Sequence, residues 1–201
     1  DSQDQLRSAV AKINQFGEHI QKYNLEVRSD ARNLNDPGLE AQLYQQLEGL
    51  SEGVDFKLVR ADDGSVTVNL GGQTPLTIGG SLFPISLDVS GTGAVIRDWQ
   101  GHDVTGQIEQ GSLKAGLDYQ NTYLPGVGED LNRLASTLAD SVNAGLAAGV
   151  DQNGNGPTTD LFRYDAAAGA AGSLQVNNLN PSELAAASAA SAGLATVLLA
   201  Q

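Results

Sequence analysis

The longest regular hydrophobic pattern lies in the second half of the chain. Val127, Leu131, Leu134, Leu138, Val142 and Leu146 recur three or four residues apart, which places them on one stripe of an α-helix. Asn132, Arg133, Ser136, Asp140 and Asn143 fall elsewhere on its surface. Pro125 suits a first helical turn, and Glu129 and Asp130 bring negative charge to the positive end of the helix dipole. Gly149 can close the helix in the left-handed conformation. From Gly126 to Ala148 such a helix is roughly 35 Å long. A stripe of that length calls for partner helices. In a packed stripe, Leu138→Ala would cost on the order of 2–5 kcal/mol.

Two helices precede it. In Gln5 to Arg28 the residues Leu6, Val10, Ile13, Ile20 and Val27 alternate four and three apart, with Gly17 and Asn24 at the interrupting positions. This is a short heptad pattern that predicts a coiled-coil-like seam, widened by Phe16 and Tyr23. It reads either as a rod that meets other subunits or as an amphipathic helix packed within its own chain. Asn35-Asp36-Pro37-Gly38 breaks the chain. Leu39, Leu43, Leu47 and Leu50 then mark a second helix, closed by Gly49 to Gly53.

The period changes after Gly53. Val54, Phe56 and Leu58 alternate with polar residues, as do Val66, Val68 and Leu70 beyond Asp62-Asp63-Gly64. Asp-Gly supplies the positive φ that a tight hairpin needs. Thr74 to Ile78, Ile85 to Val89 and Ala94 to Trp99 extend the pattern, with Pro75 and Pro84 expected at strand ends or edges. Beyond Gly149 the sequence predicts a Gly/Asn/Asp loop, Leu161-Phe162, an Ala/Gly linker over Ala166 to Gly172 and a short strand at Leu174 to Val176. Asn180-Pro181-Ser182-Glu183 predicts a final helix start, with Asn180 as the cap, running toward Gln201. The fold class is therefore α+β, an elongated helical bundle with an inserted antiparallel β subdomain. The expected division is a discontinuous helical domain, 1–53 and 111–201, and a β subdomain, 54–110.

Composition narrows the function. Of 201 residues about two fifths are apolar, aromatics are few, and Cys and Met are absent. That excludes disulfides, thiol nucleophiles and Cys-ligated metals. A net charge of −13 argues against nucleic-acid and anionic-membrane partners. No basic n-region with an apolar h-region opens the chain. The run from Leu184 to Ala200 falls short of the ~20 apolar residues that span a bilayer.

Candidate chemistry is sparse. Asp151, Asn153, Asn155 and Gly156 match the first half of a calcium loop, but Phe162 stands where a bidentate Glu is needed and Asp160 is a poor substitute. An Asx-type turn accounts for these residues. His102 lies between Asp98 and Asp103 beside Trp99, and the other histidine, His19, falls on the outer side of the first helix. No nucleophile accompanies either. Gly71-Gly72 and Gly79-Gly80 lack the Lys-Ser/Thr of a phosphate loop and read as turns. Asp62-Asp63 and Glu129-Asp130 have local roles. No catalytic, cofactor or metal residue is assigned, and no cofactor is expected.

The ordered set of local motifs resembles one family. Asp63-Gly64-Ser65-Val66, Val68, Leu70, Gly72, Pro75 and Leu76 are similar to the middle region of the bacterial flagellar hook-associated protein 1 family, the hook–filament junction proteins. Gly111-Ser112-Leu113-Lys114-Ala115-Gly116-Leu117 and Tyr123-Leu124-Pro125 resemble the approach to that family's long helix. Leu131-Asn132-Arg133-Leu134-Ala135, Val142-Asn143, Gly149-Val150-Asp151, Asp160-Leu161-Phe162 and Asn180-Pro181 with Glu183-Leu184-Ala185-Ala186 continue the likeness. The resemblance implies a non-enzymatic structural subunit of the flagellum, exported by the flagellar type III apparatus without a cleaved signal. Its partners would be other copies and adjacent hook and junction proteins, with an export chaperone engaging segments outside this sequence. With Asp1 in place of Met and no terminal axial helices, the sequence is expected to be a central fragment, monomeric by itself. The alternative is a secreted binding module or adhesin that contacts a glycan or protein, with Trp99, Tyr119 and Tyr123 as its contact residues.

Overall fold

A computed structural model describes residues 2–151, 154–180 and 187–188. The fold is α+β with a small antiparallel sheet. It divides into two compact units, Asp1–Pro125 and Gly126–Gln201. These do not follow the predicted boundaries at 53/54 and 110/111. The reason is that the β region has no core of its own. Val66, Val68, Leu70, Leu76, Ile85 and Ile96 are buried in one cluster with Leu6, Ile13, Ile20, Leu43, Leu50 and Leu113.

Helix α1 (Ser2–Ser29) buries Leu6, Val10, Ile13, Gly17, Ile20, Asn24 and Val27. The four–three spacing is thus consumed within the unit, against α2 (Pro37–Gly53), α3 (Gly111–Asp118) and the strands. The two seam positions that weaken a coiled coil are where the strands dock. A Cβ on Gly17 would come within 2.9 Å of Leu82 and 3.0 Å of Leu76. Asn24 is fully buried and hydrogen-bonded. Tyr23 is buried too, and Gly49 of α2 makes room for the Phe16 ring, which a Cβ there would approach to 2.6 Å. Asp36 caps α2 by accepting from the N–H groups of Gly38 and Leu39 at 2.7 and 3.3 Å, with Pro37 in the first position. The predicted breaker is therefore a helix start.

The sheet runs in the order β1 (Phe56–Arg60), β2 (Val66–Leu70), β3 (Thr74–Ile78), β4 (Ser81–Leu82), all antiparallel. Gly64 turns the first hairpin at φ 79°, and Phe56 pairs with Leu70 and Arg60 with Val66. Val66, Val68 and Leu70 face inward, whereas Lys57 to Arg60 on the edge strand β1 are exposed. Pro75 faces Asn69 beside a register shift in β2, near the start of its strand. β5 (Ser86–Asp88) and β6 (Val95–Arg97) form a separate hairpin.

Three asparagines of this unit each hold the backbone of one distant residue with both ends of the amide. Asn14 accepts from the N–H of Ile85 at 3.0 Å and donates to its carbonyl at 2.8 Å. Asn24 does the same to Val66 at 2.7 and 2.7 Å, and donates to the Gly79 carbonyl at 2.7 Å. Asn121 holds Ala94 at 2.7 and 2.8 Å. A primary amide offers the donor and acceptor of a neighbouring strand's peptide, so each pair satisfies groups that burial would otherwise orphan. Ile85, Val66 and Ala94 are all buried.

α3 continues into a π-helical turn, Tyr119–Tyr123, before α4 (Leu124–Ala147). The expected helix start at Pro125 is thus corrected: Leu124 is already helical and its N–H bonds to the Tyr119 carbonyl. Pro125 lacks an N–H and crowds the carbonyl four residues back, and a wider turn there accommodates it.

Carboxylates close the turns of the β region. Asp88 accepts from the Ser90 hydroxyl and N–H and pairs with Arg97. In that order of weight these hold its pKa far below the ordinary carboxylate value. The Ser65 hydroxyl and N–H lower Asp63, and those of Thr105 lower Asp103.

Two outcomes are expected. Asn24→Ala strands the Val66 N–H and two carbonyls; at roughly 1–3 kcal/mol per orphaned buried group, the loss is at least about 2 kcal/mol in urea denaturation. Depressed folded-state pKa values contribute stability above the unfolded value, 3.8 for Asp, and lose it as pH falls below. The denaturation midpoint therefore drops on going from about pH 5 to about pH 3, and drops less in Asp88→Asn.

Candidate assembly surface

Helix α4 lies where its sequence predicts it but presents the opposite face to its own chain. The leucine stripe is open: Val127 is 39%, Leu131 52%, Leu134 66% and Leu138 51% exposed. Val142 and Leu146 are half-buried. The expected cover over Leu131 to Leu138 is absent among the described residues. Leu138 fills no packed stripe, so truncating it leaves no cavity.

The face that packs is the small and polar one. Ala139 is fully buried. Asn143 holds Phe162 in the same two-ended manner as the clamps above, accepting from its N–H at 3.0 Å and donating to its carbonyl at 2.9 Å. Asn132 accepts from the Ala171 N–H at 2.9 Å. The Tyr164 hydroxyl donates to both oxygens of Asp140 at 3.1 and 3.2 Å, which raises the tyrosine pKa. The partner segment is built by β8 (Phe162–Arg163) paired with β9 (Gln175–Val176), with the short helix α5 (Ala170–Ser173) between them.

The stretch expected as an Ala/Gly linker thus forms structure, because Ala170 is small enough to be buried. A Cβ on Gly169, at φ 91°, would sit 3.0 Å from Asn132. Asn132, Ser136, Ala139 and Asn143 recur at helical spacing, so the packed face was signalled in the sequence by small and amide side chains rather than by leucines.

Two further expectations change. Gly149 does not cap α4 in the left-handed conformation; it begins β7 (Gly149–Val150), which pairs with β10 (Ala187–Ser188). That pairing interrupts the helix predicted toward Gln201. Its start at Pro181–Glu183 lies outside the described residues.

The structure disperses the other candidate groups. Asp151 accepts from the Asn155 N–H at 2.8 Å and donates its own N–H to the Asn155 carbonyl at 2.8 Å, an Asx-type turn. Asn153 lies outside the described residues, and Phe162 and Asp160 belong to the segment against α4. Asp98 closes its own turn, accepting from the N–H groups of Gln100 and His102 and from the His102 ring at 3.1 Å. Lost hydration raises its pKa, and these hydrogen bonds outweigh that and lower it. Asp103 bonds to Thr105. His19 is half-buried against Gln46 at 2.8 Å, not on an outer face. Among the described residues no three His, Asp or Glu gather as a metal cluster. Trp99 is 50% exposed and leans on Phe83; Tyr119 and Tyr123 stack on each other at 5.4 Å. Gly71 and Gly79 turn the chain at positive φ, and a Cβ on Gly71 would collide with the Gln107 carbonyl. Asp130 pairs with Arg133 at 2.7 Å on α4.

The family described as flagellar hook-associated protein FlgK helical domain matches residues 1–162. The structure is similar to that of the flagellar hook junction protein FlgK from Burkholderia pseudomallei, with a TM-score of 0.69 and 24% identity, over 82% of this chain. The chain spans 31% of that protein. No curated protein matches.

Because Leu138 is half exposed, Leu138→Ala is expected to change stability by less than about 0.5 kcal/mol. A thermal melt beside that of Asn24→Ala measures the contrast.

Proposed function

The chain belongs to the flagellar hook-associated protein FlgK helical-domain family, and we propose that it is a non-enzymatic structural unit of the bacterial flagellum at the hook–filament junction. It acts by contact with neighbouring axial proteins and with other copies of itself, outside the cell, after export through the flagellar type III apparatus. The observation that carries this reading is the open stripe on α4. Four large aliphatic side chains at helical spacing are exposed on a chain whose net charge is −13. A protein that keeps such a stripe in water while packing the small and amide-bearing face of the same helix has a use for it in contact. The charge sets the terms of that contact. Copies repel one another at low salt, so the isolated chain is monomeric there and assembles only where polar or basic groups match.

The test places Leu131→Asp with Leu134→Asp in the genomic copy. The expected outcome is a melt of the purified chain close to wild type, because both positions are exposed, together with loss of swimming in soft agar. Normal swimming by the double variant would refute the reading.

A further inference from the structure

We infer that Asn155 is a site of spontaneous backbone modification, a deamidation that breaks its hydrogen bonds to Asp151. This rests on the local geometry alone, not on the proposed function. Asn155 is exposed and is followed by Gly156. No side chain stands between the Gly156 nitrogen and the Asn155 amide, and nothing lies within 4 Å of the place a Gly156 side chain would occupy. Among the described residues, the Asn155 side-chain amide reaches one partner, Asp151, at a long 3.5 Å. The clamping asparagines 14, 24, 121 and 143 are instead held at both ends of the amide, at 2.7–3.0 Å. None of those four precedes a glycine.

The main-chain nitrogen of Gly156 attacks Cγ of Asn155. The new C–N bond replaces the bond from Cγ to Nδ2, and ammonia leaves with the proton lost by the Gly156 amide. Solvent water then adds across one of the two C–N bonds of the cyclic imide. Opening at Cγ yields aspartate, and opening at the backbone carbonyl yields isoaspartate. Either product is an anion facing Asp151, where Asn155 now donates both its N–H and its side-chain amide. The isoaspartate also lengthens the backbone by one carbon. The turn held by Asp151 loses its closure through charge repulsion in both products, and through altered chain length in the second.

Ageing the purified protein at mildly alkaline pH, followed by peptide mapping with fragmentation mass spectrometry, tests this. Expected are aspartate and isoaspartate at position 155, forming on the order of tenfold or more faster than at positions 14, 24, 121 and 143, a barrier difference of at least ~1.4 kcal/mol. Gly156→Ala, which has room for its methyl, should slow conversion at 155 by a similar factor. Conversion confined to Asn153, equal rates at the clamped asparagines, or an unchanged rate in Gly156→Ala would each overturn it.

Discussion

The structure depends on a side-chain amide standing in for a strand. A helix cannot extend a β-ladder, because its own peptides are spent along its axis. Strands that pack against a helix therefore leave N–H and C=O groups buried and unpaired wherever their ladder ends. Asn24 meets that demand at Val66 and Gly79, where the pairing of β2 with β3 has run out. Asn14 and Asn121 meet it at Ile85 and Ala94, and Asn143 at Phe162. An apolar residue at position 24 would pack but would leave the Val66 N–H and the Val66 and Gly79 carbonyls without this partner.

This constraint explains why the β region is no separate body. Its inward residues join the core beneath α1, and its loops are fixed by amides from α1 and the π-turn. The glycine at position 17 serves the same end by letting Leu76 and Leu82 approach the helix closely. What looks like a flawed heptad is a complete docking face. The seam of α1 is spent inside the unit and is not offered to other chains.

Helix α4 shows the converse. It packs Ala139, Asn132 and Asn143 against the segment around Phe162 and Ala170, and leaves Leu131, Leu134 and Leu138 in water. Hydrophobicity alone does not decide which face packs. The close approach allowed by Ala139 and Ala170, together with hydrogen bonds from Asn132, Asn143 and Asp140, fixes the in-chain partner. That leaves Val127, Leu131, Leu134 and Leu138 exposed on the side of α4 away from Ala139.

The sequence by itself determined the elements: three amphipathic helices, a Gly64-turned hairpin, the break at Asn35-Asp36-Pro37-Gly38, and a family signature over most of the chain. Local propensity and period encode these, and they need no partner to be read. It also named the stripe that carries the functional reading, though not its exposure. Tertiary structure decided which faces meet. The heptad of α1 proved internal because strands reach Gly17 and Asn24, and the leucines of α4 proved open because a shorter polar segment took the opposite side. Periodicity records that one face of a helix is apolar. What comes to lie against that face depends on contacts between residues tens of positions apart, which no local pattern contains.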